Sequence, residues 1–271
     1  VCAQPRIDFW FDGGFVGLVA LPQSVVFAAR AVPHLGRRCL FVAIFLSADS
    51  PSMSRRRVAG GYDGLAKIYD LLARMVYGNA LRKAQTTFLN DFPKNADVLV
   101  VGGGSGWFLE QLMIQSNPKF VLYVELSPKM LALAKLRIQN NCPKAFSRIE
   151  FVEGSVEDVV EEGTYDVVVT HCLLDMFAGL QLQAIVRRLR NALHTGGQWY
   201  FSDFRLAKNW PMSWISRMMI WMMYRLFKWW CDIPATRLPD FQAAFDLAGL
   251  KISDSKHFFG GMIEAKMLKK G

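Results

Sequence analysis

The 271-residue chain is 52% apolar and 20% charged, a balance that excludes a disordered tail, a collagen-like repeat and a small disulfide-stapled scaffold. Its formal charge of +9 is uneven: seven Lys/Arg stand against three acids in residues 1–60, fifteen against fifteen in 61–205, and ten against five in 206–271. The basic ends are also the most apolar and aromatic stretches, which favours an anionic membrane surface or an amphiphilic ligand, and no nucleic-acid partner is expected.

In residues 1–52 the apolar patches at 9–11, 15–21 and 25–29 are broken by Gly and Pro without a steady period. Arg37 and Arg38 before the apolar run 39–46 mimic a signal peptide, yet they lie well inside the chain, and Met53 opens a stretch that reads as an ordinary protein start. Residues 1–52 are therefore expected to be an extension outside the fold or disordered, with a membrane-associating segment as the other reading. The five cysteines form no C-x-x-C pair and the four histidines do not cluster with them, so neither a disulfide framework nor a metal site is expected, as suits a reducing, cytoplasmic compartment. No uninterrupted apolar run reaches the roughly 18–20 residues that span a bilayer.

From Gly61 the pattern becomes regular. Leu65, Ile68, Tyr69 and Leu72, then Leu81, Ala84 and Phe88, recur at helical spacing, so 53–96 reads as leading helices before the main domain, 97–271. Strands follow at 98–101, 120–125, 149–152, 165–170 and 198–203, with helices at 106–115, 127–140, 180–193 and 240–248 between and after them. Ser127 and Pro128 supply an N-cap and a first helical residue, and Gly196 and Gly197 are expected to close the fourth strand's helix. Two last strands, 251–258 and 262–268, meet at Gly260 and Gly261 as an antiparallel edge hairpin. Such alternation predicts an α/β, doubly wound sheet of seven strands in three layers. Residues 206–238 form a Trp- and Met-rich insertion in which Ser213, Arg217, Tyr224 and Lys228 share one helical stripe; it predicts a lid over an apolar substrate or a peripheral membrane contact.

The strongest chemical signal is the apolar run 98–101 leading into Gly102, Gly103, Gly104, Ser105 and Gly106. Glycines there let the backbone turn sharply and approach a ligand, and the following helix start offers free N–H groups. A dinucleotide fingerprint would want glycine where Trp107 stands, so the spacing suits a nucleoside without pyrophosphate. Glu125 ends the next strand, where a carboxylate can accept both ribose hydroxyl protons.

From Gly61 to Lys270 the chain resembles a class I S-adenosylmethionine-dependent methyltransferase with a Rossmann-like sheet, in the quinone-biosynthesis-like small-molecule branch. The matching pieces are 98–106, the acidic loop 124–130, the turn 154–156, the strand 165–171 and the turn 194–198. The resemblance implies S-adenosyl-L-methionine as cofactor and in-line methyl transfer to a small, apolar or amphiphilic molecule. It implies that Gly102, Gly103, Gly104 and Gly106 line the methionine and ribose portion, that Glu125 holds the ribose, and that Leu126, Ser127 and Met130 flank the adenine. It further implies that Ser155 and Val156 meet the adenine, that Tyr69 closes over the cofactor and that His171 sits near the sulfonium. Two positions depart from the family: Val100 and Ser155 stand where acids are usual. A base is needed only if the acceptor must lose a proton, and the candidates are His171, Asp175 and Asp203. Each also has a structural reading: His171 bonded to backbone, Asp175 capping the next helix, Asp203 paired with Arg205. Cys172 reads as core, and His194 as a structural residue at a helix end. An aminopropyltransferase-like enzyme and a non-catalytic interaction protein of the same fold are the alternatives.

Overall fold

A computed structural model describes the backbone of residues 25–31 and 41–47, together with residues 77–156, 162–231 and 237–271; side chains are described from 77 to 225 within these ranges and from 237 onward. Residues 1–50 and 51–271 are two separate units. In the first, β1 (Val25–Ala31) and β2 (Phe41–Ser47) pair antiparallel from Val25 opposite Ser47 to Ala31 opposite Phe41. The apolar patches of this region thus include a hairpin, where the sequence predicts no regular element.

The second unit holds α1 (Ala80–Thr86), β3 (Asp97–Val101), α2 (Trp107–Gln115), β4 (Phe120–Glu125), α3 (Pro128–Asn141), β5 (Ile149–Glu153), β6 (Tyr165–His171) and α4 (Gly179–Ala192). It continues with β7 (Leu193–Phe204), α5 (Met212–Cys231), α6 (Phe241–Leu247), β8 (Leu250–Phe258) and β9 (Ile263–Lys270). One seven-stranded sheet runs β5-β4-β3-β6-β7-β9-β8. The first five strands are parallel, and β9 enters antiparallel between β7 and β8. The edge hairpin is present as expected, with its second strand on the inside.

Local chemistry explains two of the helix starts. Ser127 Oγ accepts the Met130 N–H at 3.2 Å and Pro128 opens α3; Asp240 Oδ1 accepts the Ala243 N–H at 3.0 Å to start α6. One boundary differs from expectation: α4 ends at Ala192, and Gly196 and Gly197 fall inside β7 instead of closing the helix.

The sheet separates two apolar layers, and β3 shows the separation residue by residue. Val98 and Val100 join Phe108, Leu112 and Tyr123 on one face, whereas Leu99 and Val101 join Val168, Val186 and Trp199 on the other. A strand covered on both faces must be apolar at every position, which is why 98–101 contains no polar residue.

Trp199 is fully buried, with its indole N–H 2.8 Å from Thr170 Oγ1 and its ring edge-on to Phe245 at 5.6 Å. Trp199→Ala should lower the unfolding free energy by roughly 3–5 kcal/mol in urea titrations; a loss below about 1 kcal/mol would show that this layer repacks freely.

Candidate active site at the carboxyl edge of the sheet

Parallel register brings several of the candidate residues together. Val100 lies opposite both Tyr123 and Val169, and Val169 opposite Tyr200, so Gly102, Glu125, His171 and Ser202 emerge level at one edge. Chain order reverses at β3, with β4 on one side and β6 on the other, and such a switch point opens a crevice.

The glycine turn is braced from several directions. Gly102 N–H donates to Val124 O at 2.9 Å, Tyr123 Oη donates to Gly104 O at 2.9 Å, and Arg137 Nε donates to Ser105 O at 3.1 Å. Gly102, Gly104 and Gly106 all have positive φ (66°, 63° and 79°). The four glycines do different jobs. A Cβ at Gly102 would meet Leu173 Cδ1 at 2.7 Å, one at Gly103 would strike the Tyr123 ring at 2.3 Å, and one at Gly106 would reach Ala134 Cα at 2.8 Å. At Gly104 a Cβ would meet nothing within 4 Å. Three of the glycines therefore serve close packing, and Gly104 alone faces open space. Trp107 does not fill that space; Arg82 lies 4.7 Å above its ring, and the indole packs partly buried against the core.

Glu125 is buried, and its two oxygens are divided between the loops: Oε2 accepts Gly104 N–H and Oε1 accepts Ser127 N–H, each at 2.9 Å. Burial pushes this carboxyl above its ordinary 4.5, while the Ser127, Gly104 and Leu126 N–H groups pull it back. Three backbone donors leave the carboxylate with acceptor capacity for a further donor.

The other expected cofactor residues occupy varied places. Ser127 and Met130 are buried and committed, the hydroxyl as the α3 cap. Leu126 and Ser155 are half-exposed, and Val156 is buried with Val101 and Val124 in the second layer. Val100 is a core residue of the first layer. Tyr69 lies outside the described residues.

His171 is enclosed, its Nδ1 2.8 Å from Ser202 Oγ and its ring edge-on to Phe108 at 4.4 Å. Burial pushes it down to about 3, so the imidazole is neutral and a weak base; its Nε2 has no partner among the described residues. Asp203 pairs differently from expectation. Its Oδ2 accepts Leu174 and Asp175 N–H at 3.1 and 3.2 Å and its Oδ1 accepts Phe204 N–H at 2.8 Å, while Arg205 lies 3.8 Å from Glu264. Asp175 does not cap α4, whose N-cap is Ala178; it is buried in the turn Leu174–Met176. Desolvation raises Asp175 to about 7, and desolvation followed by the Asp175 charge raises Asp203 well above 3.8, so the pair holds a proton at neutral pH.

Two residues that sequence reasoning missed complete this region. Tyr77 is pushed up to about 12 by burial, then by Cys172 and Asp175, and Tyr224 donates its phenol proton to Asp175 O at 2.9 Å. Tyr224 is the one phenol in α5, the available signal for it. Its burial breaks the expected stripe, because Arg217 on the same stripe is exposed. Burial first, then Asp203 and Asp175, keeps the Cys172 thiol protonated, as a core cysteine should be. His194 bridges Asp166 Oδ1 at 2.7 Å and Thr195 O at 2.6 Å, a structural role.

Raised carboxyls destabilise a fold as pH climbs. Between about pH 4 and 7 the native Asp175 holds a proton that the unfolded chain has lost, so unfolding free energy falls with rising pH, by up to about 1.4 kcal/mol per unit. His171 acts oppositely from about pH 3 to 6.5, since the unfolded chain binds the proton there. Asp175→Asn should therefore gain on the native chain steadily from pH 4 to 7 in denaturant titrations; parallel curves would show that Asp175 ionises normally.

Residues 98–197 match the family model for a methyltransferase domain. The chain is 26% identical over 144 residues to a malonyl-[acyl-carrier protein] O-methyltransferase of Priestia megaterium, covering 53% of this chain and 49% of that one. It is 24% identical over 138 residues to an arsenite methyltransferase of Mus musculus, covering 47% and 36% respectively. The matched region thus spans half or less of the length of these curated relatives. Among solved structures, the 1,6-didemethyltoxoflavin-N1-methyltransferase of Burkholderia thailandensis shares the fold, with TM-score 0.55 and 15% identity over 93% of this chain and 98% of that one. Residues 98–197 are therefore similar to a methyltransferase domain, and the strand order of the whole sheet agrees with the fold of the solved methyltransferase structures.

Proposed function

We propose that this chain is a methyltransferase that binds S-adenosyl-L-methionine along the glycine turn and methylates a small, apolar or amphiphilic molecule by in-line transfer. The observation that carries the reading is the pairing of the open face at Gly104 with the Glu125 carboxylate, bound to the Gly104 N–H at 2.9 Å. The residues fit the cofactor on three counts: room where a Cβ would stand, remaining acceptor capacity on a buried carboxylate, and a His171 Nε2 with no partner among the described residues.

When bound, the cofactor supplies a sulfonium methyl group activated by its own positive charge. The chain's part is alignment and exclusion of water. Glu125 orients the nucleoside by accepting its ribose hydroxyls, and Leu126 and Ser155 border the adenine. Neutral His171 lends a polar contact without a competing charge. Tyr77, whose ring lies 5.1 Å from Phe204 and 5.7 Å from Phe259, gives the acceptor side an aromatic wall suited to an apolar molecule. Of His171, Asp175 and Asp203, Asp175 titrates in the neutral range and is the group suited to take a proton from an acceptor that must lose one.

Calorimetry with S-adenosylmethionine and S-adenosylhomocysteine tests the reading. Glu125→Ala should raise Kd roughly 10- to 100-fold, the value of hydrogen bonds to a charged group. Because ribose hydroxyls donate to the ionised carboxylate, native affinity should weaken as pH falls through the raised Glu125 titration, and Glu125→Gln should lose that dependence. An unchanged Kd in Glu125→Ala would overturn the assignment.

A further inference from the structure

Helix α5 is oriented against the usual rule. Among its described side chains, Ser216, Ile220 and Tyr224 form the buried edge with Met219 and Met223 packed partly against the core, whereas Trp214 is 64% exposed, Met218 47%, Trp221 64% and Met222 56%, with Trp210 just before the helix at 84%. Those positions repeat every three to four residues, so they form one stripe along the helix. The orientation is fixed by buried hydrogen bonds. Ser216 Oγ donates to Ser213 O at 2.9 Å and accepts Ala207 N–H at 3.2 Å, while Tyr224 holds Asp175 O. Rolling the tryptophans inward would break these contacts, and unpaired buried polar groups are costly.

Charge selects the partner. No Asp or Glu occurs from Phe204 to Cys231, and Lys208, Arg217 and Arg225 are all exposed. Arg225 lies 5.5 Å from the Trp221 ring, which sets a cation at the border of the aromatic stripe. Two copies of this face brought together would oppose like charges with no acid to neutralise them. Among the described residues no helix is long and apolar enough to cross a membrane, and α5, about 30 Å long, carries two arginines on its exposed side. Tryptophan and methionine beside exposed cations are instead the composition of a helix lying in a bilayer interface.

We propose that α5 docks flat on an anionic lipid surface, with the Trp214–Trp221 stripe entering the interfacial layer and the flanking Arg217 and Arg225 meeting anionic headgroups. This attachment is independent of methyl transfer.

The test is flotation of the full chain with vesicles of phosphatidylcholine alone and of phosphatidylcholine mixed with phosphatidylserine. The native chain should float with the mixed vesicles, less with the neutral ones, and less again at high salt. W214A/W221A and R217E/R225E should each lower the partition coefficient by roughly tenfold or more, with far-UV circular dichroism and S-adenosylmethionine affinity unchanged. Failure of the native chain to float, or flotation of either variant equal to that of the native chain, would overturn the proposal. So would a native dimer in sedimentation that the same substitutions dissociate, since the stripe would then be covered by a second copy.

Discussion

The site rests on one contact, the Gly104 N–H donated to the Glu125 carboxylate. It exists because β3 and β4 pair in parallel with Val101 opposite Val124, which lets Gly102 continue the ladder to Val124 O and swings the turn over the end of β4. The same carboxylate reaches Ser127 at the start of α3, so one side chain ties the glycine turn to the acidic loop. Tyr123 and Arg137 then hold the turn's carbonyls at Gly104 and Ser105. A turn fixed at both its N–H and its carbonyl groups is preorganised, and a ligand entering beside Gly104 need not order it.

Burial governs the electrostatics of the remaining groups. Glu125, Asp175 and Asp203 all lie at the edge of the sheet in a poorly hydrated region, and desolvation is the largest influence on each. The same desolvation strips His171 of its proton and keeps Cys172, Tyr77 and Tyr224 protonated. On the proposed function, the acceptor side then carries no competing cation, as suits a weakly charged substrate.

Helix α5 joins this interior to the surface. Through Tyr224 it packs on the turn that carries Asp175, and through Trp214 and Trp221 it presents an apolar, cationic face outward. Any force on its outer face is applied to a helix hydrogen-bonded to the candidate site.

Much of this was written locally. The apolar run 98–101, the Ser127-Pro128 helix start, the Asp240 cap and the Glu125 strand end were legible because each depends on neighbours within a few residues. The seven strands and their antiparallel hairpin followed from alternation alone. Other features depend on residues far apart in the chain: that Gly106 is needed for Ala134 while Gly104 faces space, that Asp203 is claimed by the Leu174 and Asp175 amides and not by Arg205, and that α5 turns Trp214 and Trp221 outward. Periodicity locates an apolar stripe but cannot say which side it turns to, because that choice is made by hydrogen bonds such as Tyr224 to Asp175, formed only once the sheet has assembled.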